Sequence, residues 1–229
     1  MSVSMQARTL ARRLVYQTPL KSLLAVRFRY PYMHSPTQLR VLLDAVDDAL
    51  KVDGALVEVG CAWGTTTVFL NEHLRTSENG NRRYFALDTF GGFVDRDVDF
   101  EVENRSKKTE MRQFEETFRN NSVEAVQATI DFNGYQNVTL VEADVVAHDF
   151  SDVGPIAFAL IDVDLFLPVD AALEKVWQQL SPGGVIVVDD CAPNNEWDGA
   201  LEAYEKFVER VGLQSDIRAV KLGIIHKPE

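Results

Sequence analysis

The chain contains only two cysteines in 229 residues, Cys61 and Cys191, widely separated in sequence. So few exclude a disulfide framework, and they fit a reducing cytoplasm. No apolar run approaches the roughly 20 residues needed to span a bilayer, and the first residues lack the apolar stretch and small-residue cleavage site of a secretory signal, so membrane contact is not expected. Internal repeats and low-complexity tracts are absent. Basic residues are in deficit: 23 Lys and Arg against 35 Asp and Glu give a net charge of -12, which repels phosphate backbones and argues against a nucleic-acid partner. Acidic residues are themselves missing in one place. From Met1 to Leu43 there is none, while Arg8, Arg12, Arg13, Lys21, Arg27, Arg29 and Arg40 supply seven positive charges. Removing those seven leaves 16 basic against 35 acidic residues, so residues 44–229 stand at -19 and the first 43 residues at +7.

What is present is the balance of one large globular domain, 46% hydrophobic and 25% charged. Residues 1–36 read as a basic N-terminal helical arm and entry loop, docking on the acidic body or on a second subunit, with contact to an anionic membrane surface and a targeting role as the lesser alternatives. The loop is marked by Tyr30-Pro31-Tyr32-Met33-His34-Ser35-Pro36, where the prolines cannot continue a helix. Residues 37–229 read as the domain. Apolar residues at Leu39, Leu42, Leu43, Val46 and Leu50 recur with helical spacing, and the period then changes. Five short apolar runs follow: Ala55–Val59, Arg83–Asp88, Val138–Asp144, Ile156–Asp162 and Gly184–Asp190, interleaved with helices over Thr65–Leu74, Pro168–Leu180 and Trp197–Val211. This alternation predicts a doubly wound, mostly parallel α/β sheet. Arg218–His226 reads as one final strand. Residues 91–137 form a long polar insertion, expected to act as a lid and to be helical over Thr109–Arg119 and Val123–Phe132.

In an open α/β sheet, ligands bind outside the carboxyl ends of the strands. All of those ends are acidic here. Glu58, Asp88, Asp144, Asp162 with Asp164, and Asp189 with Asp190 should converge on one edge, where seven carboxylates require a positive partner. One candidate partner is a cationic, ribose-bearing cofactor. Glu58-Val59-Gly60-Cys61-Ala62-Trp63-Gly64 puts small residues at alternate positions of a strand-to-helix turn, where backbone must approach a ligand closely, and Asp88 is placed to accept hydrogen bonds from ribose hydroxyls. The dinucleotide spacing G-x-G-x-x-G is absent, and an acid before the first Gly would oppose a pyrophosphate. The other candidate is a divalent metal on Asp162, Asp189 and Asp190. Three carboxylates without a Cys pair or His cluster favour Mg²⁺ over zinc.

The turn resembles the first motif of class I S-adenosylmethionine-dependent methyltransferases, with Ala62 in place of the middle Gly. Leu87-Asp88-Thr89-Phe90-Gly91-Gly92-Phe93, Ile161-Asp162-Val163-Asp164-Leu165-Phe166, and Ser181-Pro182-Gly183-Gly184 leading to Asp189-Asp190 resemble the macrocin-type sugar O-methyltransferases over most of Thr37–Gly199. The compact length and the Tyr30–Ser35 segment also look similar to the branch that methylates mannosides of mycobacterial methylmannose polysaccharides. The resemblance implies a Rossmann-like fold and a metal-dependent transfer of methyl from S-adenosylmethionine to a sugar hydroxyl, carried out by a homodimer. It implies cofactor contacts at Glu58, Gly60, Ala62, Gly64, Asp88 and Asp144, a Mg²⁺ site at Asp162, Asp189 and Asp190, and Asp164 as general base. His148, just after the third strand and titrating near neutrality, is the competing base. His34 in the entry loop could touch acceptor or cofactor, although a loop histidine is more often solvated or structural. Trp63 and Trp197 flank the motif turns as stacking or core residues. A catechol-type methyltransferase and a metal-dependent hydrolase are the alternatives; the Glu58–Gly64 turn speaks against the hydrolase.

Overall fold

The protein is described here by a computed structural model covering residues 30–105, 118–119, 121–193 and 197–229. The chain divides into two units, Met1–Met33 and His34–Glu229. The basic arm up to residue 29, and residues 109–117 of the expected Thr109–Arg119 helix, lie outside the described residues; Phe118 and Arg119 are not helical. Within the described part of the first unit, the Tyr30 and Tyr32 rings meet edge to face at 5.5 Å.

In the second unit, Ser35 starts helix α1 (Pro36–Ala49) with a capping box: the Ser35 hydroxyl accepts the Gln38 N–H, and the Gln38 side chain accepts the Ser35 N–H at 2.6 Å. Such a cap contributes about 1 kcal/mol and fixes the angle at which the chain enters the helix. It therefore also fixes His34, one residue earlier. The α1 face carrying Leu39, Leu42, Val46 and Ala49 is buried, as its spacing requires.

Strands β1 (Ala55–Val59), β2 (Tyr84–Asp88), β3 (Val138–Glu142), β4 (Ile156–Ile161), β5 (Leu180–Val188), β6 (Ile217–Arg218) and β7 (Leu222–His226) form one sheet in the order β3-β2-β1-β4-β5-β7-β6. The first five are mutually parallel and β7 runs antiparallel between β5 and β6. Every residue of β1 and β4 is buried, which explains why these strands are continuous apolar runs. Helix α2 (Thr65–Thr76) follows β1; α3 (Asp95–Asn104) and α4 (Val123–Asn133) belong to the insertion; α5 (Phe166–Gln179) follows β4, and α6 (Asp198–Arg210) follows β5. One sheet face, through Val57, Val59, Ala159, Ile161, Ile186 and Val188, packs against Val169, Leu173 and Val176 of α5 and Ala203, Tyr204 and Phe207 of α6. The strand order reverses between β1 and β4, which opens the crevice where ligands bind in such sheets.

Two expectations are corrected. Arg218–His226 is a hairpin rather than one strand, because Ala219 and Val220 take left-handed φ values of 46° and 76° and turn the chain between β6 and β7. The charged start of the insertion contains a helix, α3, that apolar periodicity does not announce. It buries Asp97, Val98 and Glu101, so charged side chains with partners do the packing that apolar ones usually do.

Candidate active site

The turn after β1 is a run of left-handed residues: Gly60 at φ 90°, Ala62 at 44° and Gly64 at 75°. Gly60 has no alternative. A Cβ there would lie 1.9 Å from the Asp162 carbonyl oxygen, because Gly60 and Asp162 extend the β1–β4 ladder past its end, with Asp162 N–H bonded to the Val59 carbonyl at 2.8 Å. Ala62 N–H donates to Asp88 Oδ2 at 2.9 Å, and Phe90 N–H donates to Asp88 Oδ1 at 2.8 Å, so the acid ending β2 stitches two turns together. The Cys61 and Thr89 backbones add to this cradle of N–H donors around the Asp88 carboxylate. Asn121, from the insertion, donates to the Ala62 carbonyl.

Glu58 does not reach the open edge. It is 1% exposed, and its Oε2 accepts both the Thr67 hydroxyl of α2 at 2.6 Å and the Tyr84 hydroxyl at 2.8 Å. Burial pushes its pKa up to about 7 against the pull of those two donors. Its role is to brace the turn from beneath. Asp144, beyond β3, is held bidentately by Arg96 of α3 at 3.0 and 3.2 Å. Burial raises its pKa, but the guanidinium outweighs that effect and leaves it below the ordinary range.

The remaining acids lie close together, but Asp162, Asp189 and Asp190 do not themselves form one of the close ligand sets; Asp162 is shared between two others. Asp189 N–H bonds the Ile161 carbonyl at 2.9 Å, continuing the β4–β5 ladder and setting Asp189 beside Asp162. Asp164 and Asp190 are both left-handed, at φ 60° and 59°, a conformation that Asp tolerates better than most residues. Around Asp164 the Leu165 N–H closes on the Val163 carbonyl at 2.6 Å, a three-residue turn that places Asp164 against Asp190, with which it shares a hydrogen bond. Ligand atoms of Asp162, Asp164 and Asp190 lie within 4.8 Å of one another, and so do those of His34, Asp162 and Asp189. Burial, then the neighbouring carboxylates, push Asp162 and Asp164 well above the usual range. Asp189 falls below its usual range because His34 and Lys221 outweigh its burial.

The positive partner demanded by the acids includes two protein cations. Lys221 Nζ donates to Asp189 Oδ2 at 2.7 Å and to Asp190 Oδ1 at 3.1 Å. The Ala219–Val220 turn presents it, and the Lys221 carbonyl accepts the Cys191 N–H at 2.7 Å. His34, 1% exposed, sets Nε2 3.2 Å from Asp189 Oδ2. Gln38 ties both cations down, since its Nε2 also donates to the Ala219 carbonyl at 3.4 Å. Sequence reasoning missed Lys221 because a lysine opening a strand looks like any solvated lysine. Only the unmet demand for charge at the sheet edge signalled it.

His148 is not brought to this cluster. Its ring packs edge to face on Phe150 at 5.0 Å, and its carbonyl accepts Lys175 of α5 at 2.7 Å. Burial, then Lys175, lowers its pKa. Trp63 is 42% exposed beside the cofactor turn, whereas Trp197 packs on Phe93 at 5.4 Å. Cys61 and Cys191 are unpaired and buried, and burial raises both thiols far above a reactive range. The insertion is anchored near the acids: Glu101 Oε1 accepts the Phe166 N–H at 2.7 Å while its Oε2 pairs with Arg105 at 2.7 Å, and Arg105 pairs in turn with Asp198 at 2.6 Å.

The donor sets fit the two groups that the motifs imply. Asp189 Oδ1 is buried without a hydrogen-bond partner among the described residues, as a seat for a cation would leave it. The turn at Gly60 and Gly64 is a cradle that side chains would fill.

The fold is also that of known methyltransferases. The chain matches the solved O-methyltransferase NovP at a TM-score of 0.69 with 17% identity, covering 86% of this chain and 82% of that one. It matches CalS11, a calicheamicin methyltransferase, at a TM-score of 0.66 with 21% identity, covering 99% and 93%. These likenesses establish a Rossmann-like class I methyltransferase fold. A curated relative from Streptomyces olivaceus, 8-demethyl-8-(2,3-dimethoxy-alpha-L-rhamnosyl)-tetracenomycin-C 4'-O-methyltransferase, is 28% identical over 177 residues, 74% of this chain; the match spans 63% of the relative's length. Residues 33–226 match the macrocin-O-methyltransferase (TylF) family from the entry loop to the last strand, and the chain belongs to that family.

Proposed function

We propose that this protein is a metal-dependent O-methyltransferase that moves a methyl group from S-adenosylmethionine to a sugar hydroxyl. The observation that carries the reading is the close approach of the two half-sites, with Gly60 of the cofactor turn packed on the backbone of Asp162 in the acid cluster. A methyl donor seated in the turn would therefore lie beside an acceptor held at the acids, which is the proximity that in-line transfer requires. The sugar acceptor is supported by the relative's name, which describes methylation of a rhamnosyl group. The resemblance of the Tyr30–Ser35 segment makes a mannoside the first acceptor to test. Unpaired buried cysteines support a cytoplasmic setting, and the family resemblance supports a homodimer.

When bound, the cofactor supplies a methyl group already activated on a sulfonium, and the metal supplies Lewis acidity at the acceptor hydroxyl. Asp162, Asp189 and Asp190 would hold the ion. Asp88 would accept the ribose hydroxyls, while the turn at residues 60–64 would let backbone approach the rest of the cofactor. Asp164, once a positive charge beside it offsets the burial and neighbouring acids that favour its protonated form, would take the acceptor proton on its carboxylate, from a turn whose left-handed backbone fixes the direction of its side chain.

Calorimetric titration with S-adenosylhomocysteine, with and without Mg²⁺ and then EDTA, tests the cofactor and metal together. No binding under any condition would overturn the reading. Asp164→Asn should abolish methylation of a mannoside or rhamnoside while leaving S-adenosylhomocysteine affinity within about threefold, whereas His148→Ala should retain turnover. Substantial activity in Asp164→Asn rejects the assignment of the base.

A further inference from the structure

We infer that His34 is a nitrogen ligand of the divalent-ion seat, so that the seat is a mixed imidazole and carboxylate one that takes a first-row transition ion such as Mn²⁺ in preference to Mg²⁺. The inference rests on the metal-dependent reading above. Without the fold, the three acids alone favour a hard, all-oxygen seat. The fold adds an imidazole from 128 residues earlier than Asp162.

The geometry is that of ligands around one ion. Donor atoms of His34, Asp162 and Asp189 fall within 4.8 Å of one another, and Asp162 also belongs to the neighbouring set with Asp164 and Asp190. An octahedral ion with bonds of roughly 2.1 Å separates its ligands by about 3 Å in cis and about 4.2 Å in trans, so small side-chain adjustments complete either set. The imidazole is 1% exposed, and the capping box that follows it, together with the Gln38 bond to Ala219, holds its backbone in place. Asp189 presents Oδ2 to His34 and Lys221 and keeps Oδ1 buried without a donor among the described residues. Lys221 already supplies one positive charge to Asp189 and Asp190. With His34 acting as a neutral nitrogen donor, Lys221 is the one protein cation left beside these carboxylates among the described residues, so a second positive charge is still needed, and a mixed imidazole and carboxylate set is one that first-row transition ions accept more readily than Mg²⁺.

Pulsed electron paramagnetic resonance of the full chain loaded with Mn²⁺ reads this directly, because a coordinated imidazole nitrogen modulates the electron spin echo. The wild type should show that modulation and His34→Gln should lose it. By calorimetry, Mn²⁺ affinity in His34→Gln should fall on the order of 10–100-fold, and Mg²⁺ affinity by much less. The triple variant H73Q/H148Q/H226Q, which leaves His34 as the sole histidine, should keep the modulation and so assigns it even if His34→Gln folds poorly. Bound Mn²⁺ without nitrogen modulation in the wild type, or modulation persisting in folded His34→Gln, overturns the inference alone. Failure of the wild type to bind Mn²⁺ or Mg²⁺ at all overturns it together with the metal-dependent reading.

Discussion

Lys221→Met removes the ammonium that makes ion pairs to Asp189 at 2.7 Å and Asp190 at 3.1 Å while keeping most of the side-chain volume. Those two acids are almost fully buried, at 4% and 6% exposure, and Asp162 and Asp164 stand beside them. Removing one partner of a buried pair costs about 3–5 kcal/mol, because the charge left behind has lost its compensation. Lys221 itself is 24% exposed, so water screens part of that loss and we expect about 2–3 kcal/mol. For a chain of this length that is a fall in Tm of about 5–10 °C. Calorimetry or circular dichroism melts in EDTA measure it. The same melts with Mg²⁺ or Mn²⁺ in excess carry a second expectation: the ion restores the missing positive charge, so the metal-induced rise in Tm should be larger in Lys221→Met than in the wild type. A variant that melts with the wild type in EDTA, or gains no more from the ion than the wild type does, refutes the view that Lys221 neutralises the strand-end acids.

Gly60→Ala forces a Cβ to within 1.9 Å of the Asp162 carbonyl at φ 90°, so urea denaturation should show a loss above about 3 kcal/mol; near wild-type stability would mean that the two turns are not tightly apposed. Glu101→Gln keeps an oxygen for the Phe166 N–H but takes a charge from Arg105, which is 9% exposed; we expect about 2 kcal/mol and faster amide hydrogen exchange in α3 and around Asp164, and unchanged exchange there would separate the insertion from the acid turn. Glu58, pushed up to about 7 from an ordinary 4.5 by burial, holds its proton more tightly folded than unfolded. That contribution is fully present below about pH 4.5 and is lost as pH rises through 7, so the unliganded wild type should lose up to about 3 kcal/mol relative to Glu58→Gln between pH 5 and 8; parallel stability curves would place an ionised Glu58 in the folded protein throughout.

The sequence by itself determined the layers and the location of the site. Continuous apolar runs such as Ala55–Val59 and Ile156–Ile161 can be satisfied only by burial on both faces, and interleaving them with helices leaves a parallel sheet whose carboxyl edge collects Asp88, Asp144, Asp162 and Asp189. It also determined that something positive had to meet those acids, because like charges at one edge cannot stand unpaired. What it did not determine was which groups meet them. The α3 helix escaped notice because buried acids with arginine partners, Asp97 with the exposed Arg96 and Glu101 with Arg105, replace the apolar stripe that periodicity detects. Lys221 and Arg96 are ordinary residues in sequence, and His34 a loop histidine placed near acceptor or cofactor but not near the acids; they stand 31 or more positions from their carboxylates, except where Arg96 adjoins Asp97. Only the tertiary structure brings them in. A hairpin turned by left-handed Ala219 and Val220, a capping box at Ser35 and a helix of the insertion each deliver one cation. The same level of structure sets the His148 ring on Phe150 and its carbonyl on Lys175, while Asp164 is turned into the acid cluster. Short-range pattern fixes which way a strand faces, but charge pairing across the sheet edge depends on distances that no linear spacing encodes.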